Sequence, residues 1–326
     1  MTVTIDRSES AAGGAVKAKA KPRGGALDPI FEFLCLGSAT ALLVALGWVL
    51  VSLFLGGWPA LHKFGLHFFT TSTWNPVTEV YGAAGPIVGT LVTSFLSLLM
   101  ALPIAFGIAV FLVEFCPSVL RRPIGTAVEL LAGIPSIVYG MWGLFFLAPW
   151  FALHVQLPLL TIAQPGSWLE KLTGGIPNGA NILTASIILA IMILPFMSAV
   201  LRDLMMTIPA QVRESAYGLG ASTMEVVMSV SLPYIKRSAV GAVMLGLGRA
   251  LGETMAVTFI IGNSHGFPKN LFDSGSTIAS TIANEFNEAT TDMHTSSLIA
   301  LGLVLFLITF AVLAAARALL GRQKVA

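Results

Sequence analysis

The chain has 326 residues, 56% of them hydrophobic and only 10% charged, with a formal net charge of +2 and a mean hydropathy of +0.85. A soluble globular domain carries roughly 25% charged residues, so this composition excludes one. Apolar stretches near 31–55, 87–112, 126–150, 181–201, 238–262 and 297–319 each approach or exceed the length of about 20 residues that crosses a bilayer. Backbone amides in lipid must be satisfied within the segment, which predicts six transmembrane helices and an all-α integral membrane protein. The alternating ten-residue strands of an outer-membrane barrel are absent.

In chain order, residues 1–28 come first. The run "AAGGAVKAKAKPRGGALDP" is rich in Ala, Gly and Lys and nearly free of large apolar residues. It cannot bury enough surface to order itself, which predicts a disordered cytoplasmic tail ahead of a membrane domain over 29–326. The first apolar stretch is long enough to span, and no clear cleavage site follows it, so a retained helix is expected. Cys35 and Cys116 lie in or beside apolar stretches and form no disulfide or metal pattern. No metal and no cofactor are expected.

Lys and Arg bias sets orientation. Six spans put both termini on one side. That side carries Arg7, Lys17, Lys19, Lys21 and Arg23 of the tail, and Arg121 and Arg122 after the second span. It also carries Arg202, Arg213, Lys236 and Arg237 between the fourth and fifth, and Arg317, Arg322 and Lys324 at the end. The other side carries only Lys63, Lys171 and Lys269. Both termini are therefore predicted to be cytoplasmic. The long outer loops, near 56–86, 151–180 and 263–296, read as irregular caps with Trp58, Trp74 and Trp168 at the interface. His62, His67, His154, His265 and His294 lie on or near this side, scattered and without an assigned role. Pro103, Pro135 and Pro195 interrupt spans, and Ser136, Tyr139 and Trp142 add polarity to the third.

The segment 202–237 reads "RDLMMTIPAQVRESAYGLGASTMEVVMSVSLPYIKR". Pro209 can open a helix, and Gly220 can end it in the left-handed conformation. Ser222 and Glu225 have capping-box spacing, and Pro233 is expected to close the second helix. A short helix–turn–helix is predicted. It resembles the "EAA" loop of bacterial ABC importer permeases, a Glu-Ala-Ala, then Gly after three residues, then Ile-x-Leu-Pro after nine. Glu214, Ser215, Ala216, Gly220, Val230, Leu232 and Pro233 occupy those positions, with Ser for the second residue and Val for Ile. The resemblance implies that this loop docks on a cytoplasmic ATPase. The chain has no Gly-Lys pair and hence no P-loop of its own, so hydrolysis is assigned to a separate subunit and this chain is not expected to be an enzyme.

The fifth span carries "GRALGETMAVTF", with Arg249 twelve residues into the stretch 238–262. A central Arg costs about 2.5–3.5 kcal/mol on insertion scales. Glu253 lies four residues on, which on a continuous helix is one turn away on the same face. The two are expected to pair, lining a transport path or locking helix packing. Gly246, Gly248, Ala250 and Gly252 let another helix approach closely. An Arg fork suits a tetrahedral oxyanion.

"GAVMLGLGRALGETMAVTFIIGN", "AGIPSIVYGMWGLFFLAP" and "NILTASIILAIMILPFMSAVLRD" together resemble the PstC-type permease subunit of bacterial phosphate importers, over roughly residues 85–265. The resemblance implies a type I ABC importer permease (MetI-like) architecture in the cytoplasmic (inner) membrane of a bacterium. It implies Arg249 and Glu253 as transport-path residues, and Glu214, Ala216, Gly220, Leu232 and Pro233 as the coupling element. Its partners would be a PstA-like sister permease, a homodimeric ABC ATPase and an extracytoplasmic phosphate-binding protein, in contact with membrane lipid and with no nucleic acid. One Arg paired with Glu is little charge for phosphate, so a second Arg is expected from the sister subunit. The alternatives are a permease for molybdate or sulfate, a secondary transporter that relays protons, and a membrane scaffold for signalling proteins.

Overall fold

The computed structural model describes residues 28–163 and 166–321. The predicted tail, apart from Asp28, and the C-terminal Arg322 and Lys324 lie outside the described residues. Contacts divide the chain into two units at Val49.

The first unit contains the start of α1 (Asp28–Phe64). Its Phe31, Phe33, Leu43 and Trp48 are exposed, as expected of a helix surrounded by lipid or by another subunit.

The second unit, Leu50–Ala326, holds the remainder. The end of α1 packs on α11 (Asp292–Gly321) through Gly57, where a Cβ would lie 2.9 Å from Ala300 Cα. Ser296 Oγ locks this contact, donating to Gly56 O and accepting from Ala60 N–H. A two-residue antiparallel ladder, β1 (Trp74–Asn75) with β2 (Val80–Tyr81), caps this end.

α2 (Ala84–Val110) continues into a π-helical turn, Phe111–Phe115. Its Ala101, Ala105 and Ala109 are fully buried at every fourth position, so one flat stripe lets it lie close against α5 (Ile182–Met206). α5 buries side chains on nearly all its faces, including Ile188, Leu189, Met192, Ile193, Met197 and Leu201, and forms the centre of the unit. Between them run α3 (Ser118–Ala132) and α4 (Ser136–Ile162). The third span thus starts about ten residues later than expected. Gly133 ends α3, and Pro135 stands before the first turn of α4 and does not kink a longer helix.

After α5 come α6 (Ala210–Gly218), α7 (Thr223–Val226), a π-helical turn at Val227–Ser231, and α8 (Leu232–Leu251). Then follow α9 (Met255–Ile260) and α10 (Ile278–Glu285). Among the described residues, five helices are long and apolar enough to cross a membrane: Pro29–Phe64, Ala84–Phe115, Ser136–Ile162, Ile182–Met206 and Asp292–Ala318. The expected fifth span, 238–262, is not one of them, because it divides into α8 and α9.

The segment 261–283 clamps one end of the bundle. Its backbone binds the start of α5 at Ile182 and Leu183, and Thr90 Oγ1 of α2 accepts Ile278 N–H at 2.9 Å. Gly89 fits against Ser276 O only because it lacks a side chain; a Cβ there would lie 2.0 Å away.

Candidate functional site

The first candidate region is the break between α8 and α9. α8 stops at Leu251 and Gly252 closes it, with Gly252 N–H on Gly248 O at 3.3 Å. Arg249 and Glu253 therefore do not share one helical face, and no ion pair joins them among the described residues. The expected pair is corrected for a local reason. Glycine is the weakest helix former after proline, and a carboxylate beside a new helix start can satisfy an open N–H. Glu253 does this: it is half-buried, and its Oε1 accepts Ala256 N–H at 3.3 Å.

Arg249 is exposed in the last turn of α8, where the helix dipole favours a cation. No hydrogen bond or ion pair to it occurs among the described residues. Its charge acts on Tyr139 of α4, whose hydroxyl donates to Leu131 O at 3.0 Å. α4 reaches the break because Gly140 is bare; a Cβ there would lie 2.9 Å from Ala256 Cα.

The second region is 207–233. α6 opens after Pro209 and ends in a full Schellman turn. Gly220, at φ +89°, donates to Tyr217 O at 2.9 Å, and Ala221 donates to Ala216 O at 3.2 Å. Ser222 and Glu225 form the reciprocal capping box that opens α7. The N–H and hydroxyl of Ser222 hold the exposed Glu225 carboxyl below its ordinary range. Pro233 does not close this helix. Leu232 N–H bonds Val227 O in π register, and Pro233 takes the second position of α8, where a missing N–H is tolerated. The helix opened at Thr223 thus runs on to Leu251. Glu214, Ser215 and Gly218 are exposed on α6, and so is Leu219 just after it, while Ala216 is half-buried. Leu232 and Val230 are half-buried and Pro233 is exposed.

Two groupings escape sequence reasoning. Glu114, in the π turn that ends α2, has a side chain only 6% exposed. It accepts from Arg213 Nη1 at 3.2 Å and from Tyr217 Oη at 3.3 Å. At the opposite end, Glu285 binds His265 and His294 Nε2, each at 2.9 Å, and accepts from Trp74 Nε1. Trp74 stacks on His265 and Tyr81 on His294. Burial pushes the Glu285 carboxyl up, but His265, Trp74 and His294 together outweigh it and hold it below the ordinary glutamate range. The knot joins the 74–81 ladder to residues 265–294, with 211 positions between Trp74 and Glu285, and no sequence signal marked it.

A family model for the inner membrane component of binding-protein-dependent transport systems matches residues 83–325. The phosphate transport system permease protein PstC of Mesorhizobium japonicum is 53% identical over 295 residues, covering 90% of each chain. PstC of Pasteurella multocida is 53% identical over 293 residues, covering 90% of this chain and 88% of its own. A solved bacterial ABC transporter involved in the import of the acidic polysaccharide alginate shares the fold, with a TM-score of 0.56 and 19% identity over 91% of this chain and 98% of its own. The chain belongs to the PstC phosphate transport permeases, within the inner membrane components of binding-protein-dependent transport systems.

Proposed function

We propose that this chain is the permease subunit of an ATP-driven importer of inorganic phosphate and forms half of the transmembrane path. The observation that carries the reading is Arg249, a full charge at a helix break within the apolar body, with no internal ion pair or hydrogen bond among the described residues. A charge at membrane depth is costly unless it faces a cavity or a partner. An exposed guanidinium at a helix end is such a charge, and its planar fork can bind two oxygens of a tetrahedral anion. Glu253, turned toward α9, leaves that fork unoccupied and limits how much anionic charge the break accepts.

The second part of the reading is coupling. α6 faces the cytoplasm in this orientation and docks on the ATPase through Glu214 and the exposed surface around it. Gly220 ends it and the capping box starts the helix that follows, Ala216 is half-buried on it, and Leu232 and Pro233 carry that following helix on into α8. A sister permease completes the path and supplies a second cation. The ATPase is a homodimer, and an extracytoplasmic binding protein delivers phosphate at the 261–283 end.

The test is phosphate uptake in cells that lack their own high-affinity system, with the chain co-expressed with its partners. Arg249→Gln is expected to lower uptake roughly ten- to a hundredfold, the worth of a charged hydrogen bond, with membrane assembly intact. Normal uptake by Arg249→Gln would remove Arg249 from the path. Phosphate movement without an ATPase subunit would overturn the importer reading.

A further inference from the structure

Among the described residues, α6 is joined covalently to α5 through Thr207–Pro209 and to α7 through Leu219–Ala221, and it packs on α7 and the π turn Val227–Ser231 that follows. Glu114 binds it in addition to α2, a helix distant in sequence. Arg213 and Tyr217 are four residues apart and so occupy one face of α6. Each takes a different oxygen of the same carboxylate: Arg213 on Oε1, Tyr217 on Oε2. Two attachments one turn apart resist both sliding and rotation of α6, which a single contact would permit. The carboxylate is also fixed from its own side. It is almost fully buried, stands in a π-helical turn, and adjoins Val113, whose carbonyl accepts Arg121 Nη2 at 2.8 Å. Extra-residue turns of this kind re-aim a side chain out of the regular helical register.

α2 then runs the length of the bundle against α5 to the opposite end. There Thr90 binds the start of α10, and Gly85 and Gly89 lie against the carbonyls of His265 and Ser276. One continuous helix, with Pro103 within it and the π turn at its end, therefore touches α6 at one end and the 261–283 clamp at the other.

We propose that Glu114 is a positioning residue for transport, the joint through which movement of α6 is passed to α2 and on to the far clamp. This rests on the reading of α6 as the ATPase-docking helix. Contiguity alone does not establish coupling, so the test measures coupling directly.

The complete transporter is reconstituted in vesicles. Retained ATPase subunit, ATP hydrolysis and phosphate uptake are measured for Glu114→Gln, Arg213→Gln, the double variant, Glu114→Asp, Tyr217→Phe and Glu214→Ala. Glu114→Gln is expected to retain the ATPase subunit while phosphate moved per ATP falls at least about fivefold, the lower end of inter-site coupling. The double variant is expected to lose no more than Glu114→Gln alone, because the contact that Arg213→Gln removes already runs through the Glu114 carboxylate. Glu114→Asp is expected to recover part of the loss. Wild-type stoichiometry in Glu114→Gln, or full additivity in the double variant, would overturn the proposal. So would loss of the ATPase subunit from Glu114→Gln, which would make the residue a mere support for α6. If Glu114→Gln does not reach the membrane, Tyr217→Phe decides: unchanged stoichiometry there overturns the proposal, and a smaller loss sustains it. Glu214→Ala separates the underlying reading. Full retention of the ATPase subunit and full uptake in that variant would remove α6 as the docking helix, whatever Glu114 does.

Discussion

Replacing Glu285 tests the polar knot at the 261–283 end. Its carboxylate serves three donors: His265 Nε2 and His294 Nε2 at 2.9 Å each, and Trp74 Nε1. The His294 side chain is only 5% exposed, so its lost acceptor is shielded from bulk water, and Trp74 is half-buried. His265 is a quarter exposed and can turn to solvent. Glu285→Ala thus strands two donors at about 1–3 kcal/mol each, roughly 2–6 kcal/mol together. Local opening should rise by at least about thirtyfold, read as faster hydrogen exchange at α10 and at β1 and β2 in the reconstituted protein. Exchange within about threefold of wild type would refute the reasoning. The pH arm has a defined sign. The folded carboxyl sits below its ordinary value, so its contribution is fully present above the unfolded value of about 4.3. It is lost as pH falls through the lower folded value. That acid-side loss of protection should be missing from Glu285→Gln.

Four further substitutions follow from close contacts and caps. Gly220→Ala forces a Cβ into φ +89° and should cost about 1–2 kcal/mol, seen as faster exchange across α6 and weaker retention of the ATPase subunit. Ser222→Ala removes the capping box and should fray α7 by about 1 kcal/mol, measured by exchange at residues 223–226. Gly89→Ala and Gly246→Ala make a pair. The first drives a Cβ to 2.0 Å from a backbone carbonyl and should abolish stable accumulation, whereas the second meets the flexible Met197 side chain at 2.7 Å and should accumulate with at most a modest loss.

Long apolar runs reveal most of the bundle, because lipid demands internal hydrogen bonding over a fixed length. α1, α2, α5 and α11 lie where composition predicts them. The local signals of 207–225 are equally readable: Pro209 before α6, Gly220 at its end and Ser222 with Glu225 at the next start all follow from backbone geometry and short-range hydrogen bonds. Failures come where a residue has two local solutions. Pro233 can end a helix or stand in its first turn, and the π turn at Val227–Ser231 selects the second. Pro135 can kink a helix or precede one, and Gly133 selects the second. Glu114 and the Glu285 knot were illegible for another reason. Their partners are 99 and 103 residues away for Glu114, and 211 for the Trp74–Glu285 bond, and no local rule encodes such distances.

The break at Gly252 changes what Arg249 and Glu253 can do. On a continuous helix they would face one way and partly neutralise each other, and an incoming anion would compete with Glu253 for the fork. With the helix broken, each charge is held at a separate helix end: Arg249 where the dipole of α8 is negative, Glu253 where α9 offers an open N–H. Each backbone end complements the charge of its own side chain, so the fork is not consumed by an internal partner. Gly252 matters to this separation through helix propensity, since a Cβ there would meet nothing closer than Gly248 O at 3.7 Å. Alanine would favour helix by about 1 kcal/mol and so bias the segment toward the continuous form, in which Arg249 and Glu253 come back within reach of each other.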